Sequence, residues 1–213
     1  LDTDGNDNLY AFRFDDYNLS DGAYLVFSHN ITRGVGATTG SSGSLSFNIS
    51  NSTIKSYTFS NIAYNLLGTG ISNEGPDSIV SHNTSVYNRL NFLGNSNGGV
   101  ASFLANISFG GDAYEFRSSV SGTLSDYNIA ADSSAPGPNS LDNSLLSEID
   151  FYDPDPGVQD FCTSESSIAN INGPRMIDES DPVKIYYDAA GKVRRPTDSK
   201  FPIGACTRES PSS

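Results

Sequence analysis

Asparagine returns at a fixed interval through the middle of the chain, and this repeat constrains the fold more than any other feature. Asn61, Asn83, Asn106 and Asn128 lead four similar segments (Asn-Ile-Ala-Tyr, Asn-Thr-Ser-Val, Asn-Ile-Ser-Phe and Asn-Ile-Ala-Ala), spaced by 22, 23 and 22 residues. An earlier copy, Phe27-Ser28-His29-Asn30-Ile31-Thr32, lies 31 residues upstream of Asn61. The Gly/Ser/Thr run from Gly36 to Ser44 reads as the insertion that lengthens that interval. A period of this size fits one circuit of a β-solenoid, in which short strands alternate with turns and successive circuits stack about 4.8 Å apart. Asparagine suits a corner in such a stack. Its amide can bond its own turn and the asparagines above and below, and it tolerates the left-handed conformation that a sharp turn needs. Phe59, Val80, Phe103 with Leu104, and Leu124 precede the asparagines and are expected to point inward. Gly68-Thr69-Gly70 and Gly98-Gly99 suit further turns.

Composition agrees with many short strands. Apolar residues make up only 36% of the chain, yet 12 Phe and 11 Tyr are far more aromatic side chains than a disordered segment of this polarity carries. The net charge of −13 opposes binding to phosphate backbones and to anionic membranes, so neither nucleic acid nor membrane insertion is expected. No apolar run approaches the ~18 residues that span a bilayer. Leu1 opens no signal peptide, so the chain reads as a mature or excerpted piece.

The segments SHNTSVYN, LANISFGG and LSDYNIAADSSAPG resemble circuits of right-handed parallel β-helix repeat proteins. The ending from Asp188-Ala189-Ala190-Gly191 through Arg194-Arg195-Pro196 to Ile203-Gly204-Ala205 is similar to the "D.aG..R...IGA" close of many bacterial surface β-helix proteins. Where that family often has an aromatic residue and Glu, this chain has Cys206 and Thr207. The resemblance implies an all-β, right-handed parallel β-helix with an irregular C-terminal cap. An acidic segment or preceding circuit would occupy 1–24, the repeating circuits 25–132, and the cap 133–213. Pro136, Pro138, Pro154 and Pro156 break any ladder in the last region, and Leu141 to Ile149 reads as a short helix capped by Asn139 or Ser140.

The two cysteines, Cys162 and Cys206, both lie in that region. In an oxidising compartment they would close one disulfide, worth about 4 kcal/mol in the loop-entropy account; two buried thiols are the alternative. Extracellular or cell-surface placement follows from the disulfide reading. Glycosylation acceptors of the form Asn-x-Ser/Thr stand at Asn18, Asn30, Asn48, Asn51, Asn83 and Asn106. Asn83 and Asn106 double as ladder positions, where a buried amide could not be modified, so Asn48 and Asn51 are the better candidates.

No complete catalytic set is present. Asp15-Asp16 is an adjacent acidic pair, but neighbours on a strand point to opposite faces. Arg89 and Arg117 stand on the circuits without a repeating acidic cluster, and arginine is a poor base. His29 and His82 each precede a ladder asparagine and lack companion metal ligands. Asp2, Asp4 and Asn6 offer alternating oxygens around Gly5, a candidate Ca²⁺ loop, although a solvated acidic turn is the preferred reading. No other cofactor is expected. Tyr64, Tyr87 and Tyr114 are candidate sugar platforms. The leading expectation is a non-catalytic extracellular module serving adhesion or structural assembly, partnered by other protein chains (as a homo-oligomer or filament) or by extracellular glycans. The alternative is a polysaccharide lyase or glycoside hydrolase.

Overall fold

The computed structural model describes residues 10–15, 24–34, 43–48, 55–73, 78–94, 101–117, 125–154, 159–173, 187–193 and 201–208. Three parallel sheets dominate them. The first holds β1 (Tyr10–Asp15), β4 (Gly43–Asn48), β7 (Thr69–Asn73), β10 (Leu90–Leu93) and β13 (Tyr114–Arg117). The second holds β2 (Tyr24–Ser28), β5 (Lys55–Phe59), β8 (Ile79–Ser81) and β11 (Ser102–Leu104). The third holds β3 (Ile31–Arg33), β6 (Ile62–Tyr64), β9 (Thr84–Val86), β12 (Ile107–Phe109) and β14 (Ile129–Ala130). Strands β1 to β13 therefore visit the three sheets in rotation, each pairing in parallel with the one three places along, and β14 closes the third sheet beside β12. This all-β arrangement is compatible with a parallel β-solenoid, and one visit to all three sheets is termed a circuit below.

The strands are short because two sharp corners recur in each circuit. The first falls between the second and third sheets, at His29, Ser60, His82, Ala105 and Tyr127, with φ between 52° and 59°. The left-handed residue is thus the one before each ladder asparagine, not the asparagine itself. The second corner comes four residues after Asn61, Asn83 and Asn106, where Asn65, Tyr87 and Gly110 also have positive φ. Asparagine and glycine accept that conformation readily; tyrosine does not. Tyr87 is held there by edge-on packing against Phe109 and Phe161, with centroids 6.0 and 6.1 Å away.

Register decides which side chains fill the interior. Phe27, Thr58, Val80 and Phe103 are Cα partners, each three residues before its asparagine. Phe59 lies one residue out of this register, so alternation turns it outward into a separate cluster with Tyr57. Leu104, also one residue past this row, packs instead with Ile107 and Ile129 of the third sheet's outer face, and Leu124 lies outside the described residues. Ile71, Phe92 and Phe116 form the matching row on the first sheet, with Phe92 stacked on Phe116 at 4.8 Å. Small residues complete the interior from the third sheet: Ala63, Ser85, Ser108 and Ala130.

The large residues of the third sheet consequently face outward, and the C-terminal region covers them. Ile62, Tyr64, Val86, Ile107 and Ile129 form one buried cluster with Ile149, Phe151, Phe161, Ala169, Ile203 and Ala205. Burying each such aliphatic or aromatic side chain is worth about 1.5–3 kcal/mol. The covering region contains α1 (Leu146–Ile149), the antiparallel pair β15 (Phe151–Asp153) and β16 (Asp160–Thr163), and α2 (Ile168–Ile171). Residues 201–208 then run beside β16 through the Thr163–Thr207 bridge. The end of the stack is closed separately. Leu141 bridges Ile129, and Ser144 donates its N–H to Ala130 O at 2.9 Å. These pairings, with Asn143 in the left-handed region (φ 55°), keep 141–144 out of a helix, which begins only at Leu146 and not at Leu141.

Candidate functional site

The corner asparagines form a continuous ladder. In Asn30, Asn61, Asn83 and Asn106 the side-chain Nδ2 donates to Oδ1 of the next asparagine at 3.0 Å, and the backbone N–H donates to the same oxygen at 3.0 Å. Each Nδ2 also reaches a backbone carbonyl of its own approaching strand, of the preceding circuit, or of both, as from Asn83 to Ser81 O at 3.0 Å and to Thr58 O at 2.9 Å, and from Asn106 to Val80 O at 2.8 Å. Asn61, Asn83, Asn106 and Asn128 are fully buried. A buried amide is costly unless satisfied, and here each corner satisfies the next. Asn83 and Asn106, though acceptors for glycosylation by sequence, offer no amide to solvent in the folded chain. Asn30 is half-buried. Asn48 ends β4, whereas Asn18 and Asn51 lie outside the described residues.

A second polar network fills the interior beneath the other corner. Asn88 Oδ1 accepts from Leu66 N at 2.9 Å, and its Nδ2 reaches Ala63 O, Ser85 Oγ and Asn91 Oδ1. Asn91 Nδ2 donates to Glu115 Oε2 at 2.5 Å; Ser108 Oγ donates to the same oxygen at 2.6 Å. Gly111 N donates to Glu115 Oε1 at 3.0 Å. Glu115 is buried, and three donors on neighbouring circuits hold its carboxylate. The sequence reading missed this cluster. Its residues do not recur at the period: Asn88, Leu66 and Gly111 occupy equivalent positions with unlike side chains, and a carboxylate from another strand takes over where glycine stands.

The flank over the third sheet carries the disulfide and the residues of the Asp-Ala-Ala-Gly and Ile-Gly-Ala motifs. Cys162 and Cys206 are bonded across a separation of 44 residues, with Cα atoms 4.7 Å apart. Asp188 is buried; its Oδ1 accepts from Ala190 N and Lys192 N at 2.9 and 2.8 Å, and its Oδ2 from Thr207 N at 3.2 Å. The carboxylate thus closes the turn containing Gly191 (φ 82°) and ties it to the last segment. Gly204 (φ 89°) lets that segment touch the sheet. Its N–H donates to Ala105 O at 2.8 Å, and a Cβ there would stand 2.5 Å from Ile107 Cδ1. Ala205 N donates to Thr84 Oγ1 at 2.9 Å.

The corner histidines meet the same flank. His29 Nε2 lies 2.9 Å from Tyr187 O, and the buried His82 ring packs edge-on to Phe201 at 6.3 Å. They sit two circuits apart with Ser60 between them, roughly 10 Å at the spacing of parallel strands, too far to share one metal ion. A cavity of about 370 Å³ lies between Ile31, Ile62 and Tyr64 of the sheet and Asp160, Phe161 and Arg208 of the cover. Arg208 Nε and Asp160 Oδ2 pair at 2.5 Å on its rim.

The remaining candidates scatter. Tyr64 is buried against Phe161 at 5.0 Å and presents no face to a sugar. Tyr87 is partly covered, and burial raises its phenol above the usual range. Tyr114 is exposed, with the Arg117 guanidinium 6.0 Å from its ring centre. Arg89 and Arg117 are exposed. Asp15 ends β1; Asp16, Asp2, Asp4 and Asn6 lie outside the described residues. Hydrogen bonds from Ser164 and Ser166, partly opposed by burial, hold the Asp150 carboxyl below the usual carboxylate range. Among the described residues no three or more His, Cys, Asp or Glu side chains gather where they could hold a metal ion, and no helix is long and apolar enough to cross a membrane. No family model, curated protein or solved structure matches the chain.

Proposed function

We propose that this chain is a non-catalytic extracellular module, a right-handed parallel β-helix that serves adhesion or structural assembly with other protein chains or glycans. The observation that carries this reading is the ladder from Asn30 to Asn128. From Asn30 to Asn106 each side-chain amide donates to the oxygen of the next asparagine and to backbone, so the repeated polar residues act on the scaffold itself. Glu115, a buried carboxylate of the interior, is likewise held by scaffold donors. The Cys162–Cys206 disulfide fits an oxidising compartment and supports an extracellular location.

The test pairs two measurements on native material. Acidic and neutral polysaccharides are incubated with the protein, with and without Ca²⁺, and chain length is followed by size. Electron microscopy of the same sample reports particle form. Intact polysaccharides together with elongated particles are expected. Shortening of any polysaccharide that disappears on a single substitution in the chain would replace this reading with the enzyme one.

A further inference from the structure

We propose that Asn172 is a self-modification site. Its side chain cyclises onto the backbone nitrogen of Gly173, loses ammonia and reopens with water to aspartate or isoaspartate, and the isoaspartate loosens the last segment of the cover. This goes beyond the structural-module reading and does not depend on it.

The reaction needs an accessible amide carbon, an unengaged nitrogen after it, and no side chain crowding the ring that forms. Asn172 is the C-cap of α2 and is exposed. Gly173 brings no Cβ to hinder the ring, and among the described residues its N–H donates to nothing. The chain's other asparagines in this part of the fold lack that combination. Ile171 follows Asn170, whose Nδ2 donates to Ser164 O. The ladder asparagines are buried, and the N–H after each is taken by the preceding circuit: Ile62 donates to Asn30 O, Thr84 to Asn61 O, Ile107 to Asn83 O and Ile129 to Asn106 O.

The folded chain restrains the step without preventing it. At Asn172 ψ is 3°, and ring closure requires rotation about its Cα–C bond. Two hydrogen bonds to one carbonyl oppose that rotation, from the backbone N–H and from Nδ2 to Ile168 O, each at 3.0 Å. They close the end of a four-residue helix, which has little stability of its own. Opening of this turn therefore sets the rate. The Gly173 nitrogen then gives its proton to solvent and attacks Cγ; the Cγ–Nδ2 bond breaks and ammonia leaves with a proton from water. Water opens the imide at either carbonyl, with no change of oxidation state. Opening at the former backbone carbonyl routes the chain through Cβ and Cγ and adds one methylene to it.

That methylene enters beside a close backbone contact. A Cβ on Gly173 would stand 1.7 Å from Phe201 O, so Gly173 cannot shift without moving Phe201. Phe201 is buried, with its ring edge-on to His82, and it leads the segment in which Ile203 N donates to Ala169 O, Gly204 N to Ala105 O and Ala205 N to Thr84 Oγ1. Conversion at Asn172 thus releases the segment that covers Ile107.

The experiment ages the full chain at mildly alkaline pH and follows each asparagine by peptide mapping, with fragmentation that separates aspartate from isoaspartate. Loss of the Asn172 amide is expected ahead of Asn170 and of the ladder asparagines. In the converted fraction the amides of Ile203 and Ala205 exchange faster, while those of Val80 and Phe103 keep their rates. Ser167→Ala removes the acceptor of the Ala169 N–H at the start of α2 and should speed conversion. Freshly prepared Asn172→Asp carries the acid without the methylene and should exchange like the parent. An Asn172 amide that survives as long as that of Asn170 overturns the proposal. Conversion that leaves exchange at Ile203 and Ala205 unchanged, or fresh Asn172→Asp that already exchanges like the aged chain, overturns the link between the isoaspartate and release of the segment.

Discussion

The backbone N–H of Asn128 donates to the hydroxyl of Ser140 at 2.9 Å, in the place where every earlier ladder asparagine donates to the amide oxygen of the next. Ser140 Oγ donates onward to Pro136 O at 2.6 Å, so the hydroxyl ends the ladder with its own hydrogen engaged. Ser140→Ala leaves the Asn128 N–H without its acceptor, at a cost of about 1–2 kcal/mol. Ser140→Thr keeps the hydroxyl and should lose less. Urea unfolding reads the difference as a lower midpoint at unchanged slope. Equal stability of the alanine variant would mean that water replaces Ser140 at this end.

Position along the ladder sets the cost of breaking it. Asn83→Ala removes the acceptor of the Asn61 N–H and Nδ2 and the donor to Ser81 O and Thr58 O, all buried. A loss of about 3 kcal/mol or more is expected, the size that marks a broken buried network. Asn30→Ala at the half-buried edge should cost about 1 kcal/mol. Parallel thermal or urea denaturation of the two variants checks the ordering. Similar losses would show that the corners act independently and not as a connected ladder.

The period was legible because one side chain has to repeat for a ladder to run. Asn61, Asn83 and Asn106 each need the next asparagine, and that requirement is written into the spacing. The inward row was harder to place. Position three before each asparagine is Phe27, Thr58, Val80 and Phe103, and the threonine interrupts it while Phe59 next door offers a false match. The third sheet was misleading for a different reason. Ile62 and Ile107 alternate with Ala63 and Ser108 as core residues would, yet the small residues face the narrow interior and the large ones face the cover. The cover itself has no period. Its attachment depends on single contacts such as Gly204 on Ile107, which a sequence marks only as a glycine.

That glycine gives the next prediction. Gly204→Val would drive side-chain atoms into Ile107 and strain a backbone at φ 89°, so the last segment would lift from the third sheet. A destabilisation of about 2–3 kcal/mol is expected. The disulfide still tethers Cys206 to Cys162, so the loss should be local: amides near Ala205 exchange faster while those of Val86 and Ile107, paired within the third sheet, change less. Reducing the disulfide in the Gly204→Val chain should then cost less than the about 4 kcal/mol that loop closure alone supplies to the parent. Unchanged exchange at Ala205 would show that the contact is not what holds the segment.

Asp150 supplies the pH dependence. It ends α1 in the left-handed region (φ 50°) and accepts hydrogen bonds from the hydroxyls of Ser164 and Ser166, the latter at 2.8 Å. These bonds, Ser164's foremost, hold its carboxyl below the usual range in the folded chain, while burial partly opposes them. A depressed folded value means that the unfolded chain binds the proton more readily. The contribution is therefore complete above the unfolded value, about 3.9 for an aspartate, and disappears as pH falls through the lower folded value. Ser164→Ala with Ser166→Ala removes both donors, so the variant should lose less stability on acidification than the parent across that window, although it starts lower at neutral pH. Thermal midpoints of the two proteins between about pH 2 and pH 6 report this as converging curves. Curves that stay parallel would mean that acid acts on other carboxylates, with Asp150 contributing nothing to the titration of the fold.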